Sequence, residues 1–169
     1  SDKRFESESS TNTTHNLLEG VHRIAEVLYN ASFKYGNLAD FVSVKSLSQN
    51  GDKRFLISNS RLDLFTGLPG EILFFNYYGE IMNSCKYRDH RDNLLSQLIS
   101  ILDKSDLRDV GGFTGWGGIL YMFSKIEGTL SLVQKSQILN ALKKVDFQFL
   151  VKNDIFHSLI SGNAGFILG

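Results

Sequence analysis

Leu64-Phe65-Thr66-Gly67-Leu68-Pro69-Gly70, Gly112-Phe113-Thr114-Gly115-Trp116-Gly117-Gly118 and Leu159-Ile160-Ser161-Gly162-Asn163-Ala164-Gly165 are three copies of one pattern. Each copy has a hydroxyl residue, a glycine, two variable positions and a second glycine. An apolar run follows: Ile72-Leu73-Phe74-Phe75, Ile119-Leu120-Tyr121-Met122 and Phe166-Ile167-Leu168. Gly67 and Gly115 lie 48 positions apart, Gly115 and Gly162 47. A constant period of this size marks repeated supersecondary units, none of which buries its apolar face alone.

Between the motifs the apolar spacing is helical. One helix is expected over about 70–83 and its partner over about 89–102, using Leu94, Leu95, Leu98 and Ile99. A second pair is expected over about 118–126 and 130–150. Two helices and two turns account for the period, so the repeat is a helical hairpin. Ahead of the repeats, Leu17, Leu18, Val21, Ile24, Ala25, Leu28 and Tyr29 predict a lead helix over 15–35. Residues 1–14 are polar enough to read as a disordered lead or linker. Phe41-Val42-Ser43-Val44 and Phe55-Leu56-Ile57 flank Asn50-Gly51, a strong turn signal, and predict a β-hairpin over 41–57.

Bulk composition narrows the function classes. Apolar residues make up 42% of the 169 and charged residues 21%, as in ordinary globular proteins. Eighteen basic residues balance eighteen acidic ones, which gives no footprint for nucleic acid or an anionic membrane. No apolar run reaches the length of a membrane span. The single cysteine, Cys85, excludes an internal disulfide framework and makes the cytoplasm the expected compartment.

The glycines fall where a loop becomes a helix. The expectation is that they supply left-handed or bridging dihedrals, while Thr66, Thr114 and Ser161 cap the helix starts. The glycines serve close packing of a stack, the floor of a binding cavity, or both; in the cavity reading Thr66, Gly67, Thr114, Trp116 and Ser161 line it. Trp116 is equally readable as a packing wedge. A phosphate loop is the weaker reading of 111–118, where no Gly-Lys-Ser/Thr follows and no strand–helix fingerprint surrounds the glycines.

In these motifs and their flanks the chain, from about Phe41 to Gly169, resembles the first three repeats of the lanthionine synthetase C-like family. The lead helix and hairpin make it more similar to the cyclase portion of LanM-type synthetases than to a free-standing cyclase. The resemblance implies an all-α architecture, an α/α toroid of helical hairpins, here partial, spanning repeats 62–169 within a domain 15–169. It implies addition of cysteine thiolates of a ribosomal precursor peptide to dehydrated Ser or Thr, forming thioether rings. It further implies zinc held by two cysteines and a histidine outside this chain, and a separate dehydratase domain using ATP and magnesium. The remaining repeats and that domain would be partners within one polypeptide. The piece alone is expected to be inactive, to bind no stoichiometric zinc and to aggregate or stay partly molten.

Some positions depart from the family pattern. An aspartate is implied at the start of the third motif, where this chain has Ser158; Asp154 is nearby in a different register, and His157 precedes the position. These two are the candidate acid–base residues. Cys85 reads as a plain thiol rather than a ligand, and His15, His22 and His90 as polar-face residues without a role. Two alternatives remain: a metal-free peptide-binding or scaffold relative, and an unrelated toroid such as a glycoside-processing enzyme. The latter would need an acidic pair repeated near the motifs, yet Asp63 and Glu71 have no counterparts in the other copies.

Overall fold

A computed structural model describes residues 3–49 and 52–168, with side chains for 15–44 and 55–167. The chain divides into two units, Ser1–Ser32 and Phe33–Gly169.

The first unit is one helix, α1 (Lys3–Ala31). It starts twelve residues before the expected His15, within the stretch read as a disordered lead. Once a helix is nucleated, each further residue adds a backbone bond for one residue fixed, so polar sequence can prolong it. It also stops earlier than expected: the Ser32 hydroxyl donates to the Tyr29 carbonyl at 2.7 Å, and no helical residue follows.

Phe33–Tyr35, read as the end of that helix, is strand β1. It pairs antiparallel with β2 (Leu38–Asp40), with Phe33 opposite Asp40. Gly36 at φ +59° makes the turn, a conformation that favours glycine. The expected hairpin follows as β3 (Val42–Gln49) and β4 (Asp52–Asn59), with Val44 opposite Ile57 and Gln49 opposite Asp52. Its Asn50-Gly51 turn lies outside the described residues. Val42, Val44, Phe55 and Ile57 share one face of this ribbon and are exposed.

The rest of the second unit is helical. The first hairpin is α2 (Leu68–Ile81) and α3 (Cys85–Leu102), joined through Asn83 at φ +45°. Pro69 occupies the first turn of α2, where its missing N–H costs no helical bond. The second hairpin begins with α4 (Trp116–Ile126) and a short 3₁₀ turn, Glu127–Thr129. Its outer part is two helices, α5 (Leu132–Leu142) and α6 (Phe147–Asn153), not one over 130–150. The interruption at Lys143–Val145 follows from capping: the Asp146 carboxylate accepts the Phe149 N–H at 2.9 Å and restarts the chain as a new helix. Ser131 and Gln134 form a reciprocal capping box at the start of α5. Helix α7 (Asn163–Leu168) opens the third repeat.

Helices α2, α4 and α7 pack side by side as an inner row, and α3 packs on α5 as an outer row. This is the layering expected of a partial α/α toroid. Phe75, Leu68, Ile72, Leu94, Leu98, Ile119 and Met122 form its buried centre. A buried polar cluster ties the two hairpins: Arg91 of α3 donates to Asn76 of α2 and to the Thr129 hydroxyl, each at 2.6 Å. Arg91 also pairs with Asp92 at 2.8 Å, and Asp92 accepts from Gln134 of α5 at 2.9 Å. Leaving such a guanidinium buried without these partners would cost several kcal/mol, on the order of 3–5.

Candidate functional site: the row of glycine loops

The three motifs become three loops, each running directly into an inner helix. They lie edge to edge. The Leu64 N–H donates to the Phe113 carbonyl at 2.7 Å. The Gly112 and Phe113 N–H groups donate in turn to the Leu159 and Ile160 carbonyls at 3.2 and 3.0 Å. The first loop thus hangs on the second and the second on the third, the first junction shifted by one motif position relative to the second.

The glycines allow this by being small, not by being left-handed. Gly67 and Gly115 have φ of −128° and −135°, open to any residue, which corrects the dihedral expectation. What singles out the first glycine of each copy is the carbonyl six residues before it. A Cβ on Gly67, Gly115 or Gly162 would overlap the carbonyl of Arg61, Asp109 or Phe156 respectively. Between loops, a Cβ on Gly165 would come within 2.8 Å of the Gly112 Cα. No side chain occupies that space.

The hydroxyls do not cap the helices either. Gly67 and Gly115 are themselves the cap residues, without a side-chain bond. Thr66 Oγ1 lies 3.1 Å from the Asp63 carboxylate, and Thr114 Oγ1 donates to the Ile160 carbonyl at 3.2 Å. The loop amides are instead held from upstream. Asp63, only 4% exposed, accepts the N–H groups of Phe65 and Thr66 at 3.1 and 2.7 Å and pairs with Arg61 at 2.5 Å. Ser158, at the equivalent position of the third loop, accepts the Ser161 N–H at 3.0 Å. In the second loop Gly111 stands there, and its own N–H goes to the Asp109 carboxylate at 2.8 Å. The sequence reading missed these braces, although Asp or Ser three residues before a turn hydroxyl is a recognisable local signal.

The candidate residues separate as follows. Thr66 and Thr114 stay on the loops and Gly67 is buried beneath. Ser161 borders a cavity of about 520 Å³ with Arg108, Asp109, Asp154, Phe149 and Asn153. Asp154 spends both oxygens locally, accepting the Asn163 N–H at 2.8 Å and the Phe156 N–H at 3.2 Å. His157 is exposed, its Nδ1 3.2 Å from the Asn163 amide nitrogen. Trp116 packs as a wedge: 2% exposed, it meets the Phe147 ring edge-on at 5.4 Å and donates to the Leu107 carbonyl at 3.0 Å. In contrast, Phe65 stacks on Phe113 with ring centroids 4.7 Å apart and planes within 13°, while remaining 65% exposed.

Two titratable groups sit beside the first loop. Glu71, in the first turn of α2, has its pKa raised to about 8, chiefly by burial and then by the charges of Asp40 and Asp63. Its Oε2 is buried without a hydrogen-bond partner. His90 is 1% exposed, against the expectation of a polar-face residue. It lies edge-on to Phe75 at 4.6 Å, and burial, then Lys34 and Lys86, lower its pKa to about 4. Its place four residues before Leu94 on the buried stripe of α3 was the available signal.

Among the described residues, no three His, Cys, Asp or Glu side chains are grouped to hold a metal. Cys85 is exposed, with its sulfur 3.4 Å from the Arg88 guanidinium. The residues present therefore do not fit the zinc that the resemblance implies. Also among the described residues, no helix is long and apolar enough to cross a membrane.

Loops of this kind, repeated at a fixed period and feeding an inner row of helices, define a helical-hairpin repeat protein. The sequence profile of the lanthionine synthetase C-like protein family matches residues 58–169, and the chain belongs to that family. The family includes lanthionine cyclases that act on precursor peptides. No curated protein and no solved structure matches the chain.

Proposed function

We propose that this chain is the N-terminal part of the cyclase domain of a LanM-type lanthipeptide synthetase. In the proposed reaction a precursor-peptide cysteine sulfur bonds to Cβ of a dehydroalanine or dehydrobutyrine. The π pair of the double bond moves toward Cα, which takes up a proton to replace the one the thiol lost. No oxidant or reductant is consumed. Zinc would be held by residues outside this chain, with ATP and magnesium confined to a dehydratase domain of the same polypeptide; the reading places the enzyme in the cytoplasm.

The observation that carries this reading is the chain of backbone hydrogen bonds linking the loops from Leu64 through Phe113 to Ile160, within a stretch matched by the family profile. In it, Asp63, Ser158 and Asp154 are positioning residues. They fix loop amides so that the inner helices begin side by side.

The test incubates the full-length protein with a dehydrated, cysteine-containing precursor peptide, then with N-ethylmaleimide. Ring closure leaves the peptide mass unchanged and removes thiols from alkylation. Loss of alkylation sites supports the cyclase reading. Tight peptide binding with every thiol still alkylated favours a binding or scaffold protein instead.

A further inference from the structure

We propose that Phe65 and Phe113 form an aromatic platform on which the planar dehydro residue of the substrate peptide rests; this depends on the peptide-modifying reading above. The residue immediately before the hydroxyl-glycine pair is apolar in all three copies: Phe65, Phe113 and Ile160. Backbone bonds join Phe113 to Leu64 on one side and to Ile160 on the other, and the Phe65 ring stacks on that of Phe113. The same loops bury Leu68 and Trp116 completely, yet leave Phe65 65% and Ile160 50% exposed.

An exposed ring stacked on a half-buried one, as Phe65 is on Phe113, has a flat, apolar outer face suited to a flat, apolar partner. Dehydrobutyrine and dehydroalanine are that kind of partner, since Cα, Cβ and the flanking amides form one conjugated plane. Their precursors threonine and serine are tetrahedral at Cα and carry a hydroxyl that stacking would desolvate. The platform therefore selects the dehydrated form over the unmodified one. Phe65 acts as a specificity-determining contact and Phe113 as its support.

The experiment uses the full-length protein and two fluorescein-labelled ten-residue peptides, identical except for one dehydrobutyrine or threonine. Fluorescence anisotropy is read for the natural protein and for Phe65→Ala, Phe65→Tyr and Phe55→Ala, the last an exposed aromatic of β4. The natural protein should bind the dehydrobutyrine peptide about three- to tenfold more tightly, the range of one aromatic stacking contact. Phe65→Ala should bring that ratio to about one without weakening the threonine peptide, while Phe65→Tyr and Phe55→Ala keep it. A melt followed by circular dichroism confirms that Phe65→Ala is folded. Equal affinities in the natural protein, or a preference that survives Phe65→Ala, would overturn the platform while leaving peptide binding intact. Failure to bind either peptide would overturn the peptide-modifying reading, and the platform with it.

Discussion

The first and third glycine loops reach the same backbone path by different polar means. In the first, the amide opening α2 (Leu68) donates to the Arg61 carbonyl seven residues earlier, at 2.9 Å, and a buried aspartate holds the loop. The second loop repeats the backbone part, with Trp116 donating to the Asp109 carbonyl at 2.9 Å. In the third, the corresponding amide, Asn163, donates to the Asp154 carboxylate, and Ser158 replaces the aspartate brace. The glycines and the hydroxyl residue are common to all three, and the hydroxyl bonds differently in each. Steric clearance is the strict requirement of this loop, and its hydrogen-bond acceptors are exchangeable.

That difference can be broken at several points. Gly67→Ala drives a methyl into the Arg61 carbonyl, where backbone must move, and should destabilise the protein by about 3–5 kcal/mol in urea unfolding. Asp63→Ala strands two loop amides and Arg61, for a loss of about 2–3 kcal/mol, whereas Ser158→Ala removes one amide's acceptor and should cost about 1 kcal/mol. Equal losses at the two positions would mean that the number of groups a brace holds does not set its contribution.

The carboxyl of Glu71 adds a pH signature specific to the first loop. Its folded-state pKa, about 8, is raised above the ordinary value of 4.5, so folding favours the protonated form. The stabilisation is complete below pH 4.5 and is lost as pH rises through 8. Glu71→Gln should flatten that slope and stabilise the protein by about 1–2 kcal/mol at pH 9, with little change at pH 4. His90 imposes the opposite dependence: its lowered pKa withdraws stability as pH falls from 6.5 through about 4. The smallest effect belongs outside the repeats. Gly20 of α1 has nothing within 4 Å of an added Cβ, so Gly20→Ala should raise helicity, by about 0.5–1 kcal/mol.

What the sequence disclosed follows from the kind of physics involved. The period of Gly67, Gly115 and Gly162 survives in the chain because nothing else fits under those carbonyls, so the repeat, its hairpins and the family were readable. The reason for the glycines was not, because a close approach between residues six apart leaves no mark distinct from a turn. Phe33–Tyr35 passed for helix because its pairing with Leu38–Asp40 is decided by Gly36, one residue beyond the apparent helix end. The break before α6 was written in Asp146 and passed over in favour of the longer apolar pattern. His90 shows the usual cost of classing a polar residue as surface when its spacing from Leu94 places it on the buried stripe.

The central claim is that the glycine loops are joined to one another by backbone hydrogen bonds. Scalar coupling across a hydrogen bond, recorded by NMR on protein labelled with ¹⁵N and ¹³C, reads such bonds directly. Cross-peaks linking the Leu64 nitrogen to the Phe113 carbonyl carbon, and the Phe113 nitrogen to the Ile160 carbonyl carbon, are the predicted result. Rapid solvent exchange of the Leu64 and Phe113 amides, in a protein whose α2 and α4 amides remain protected, would contradict it.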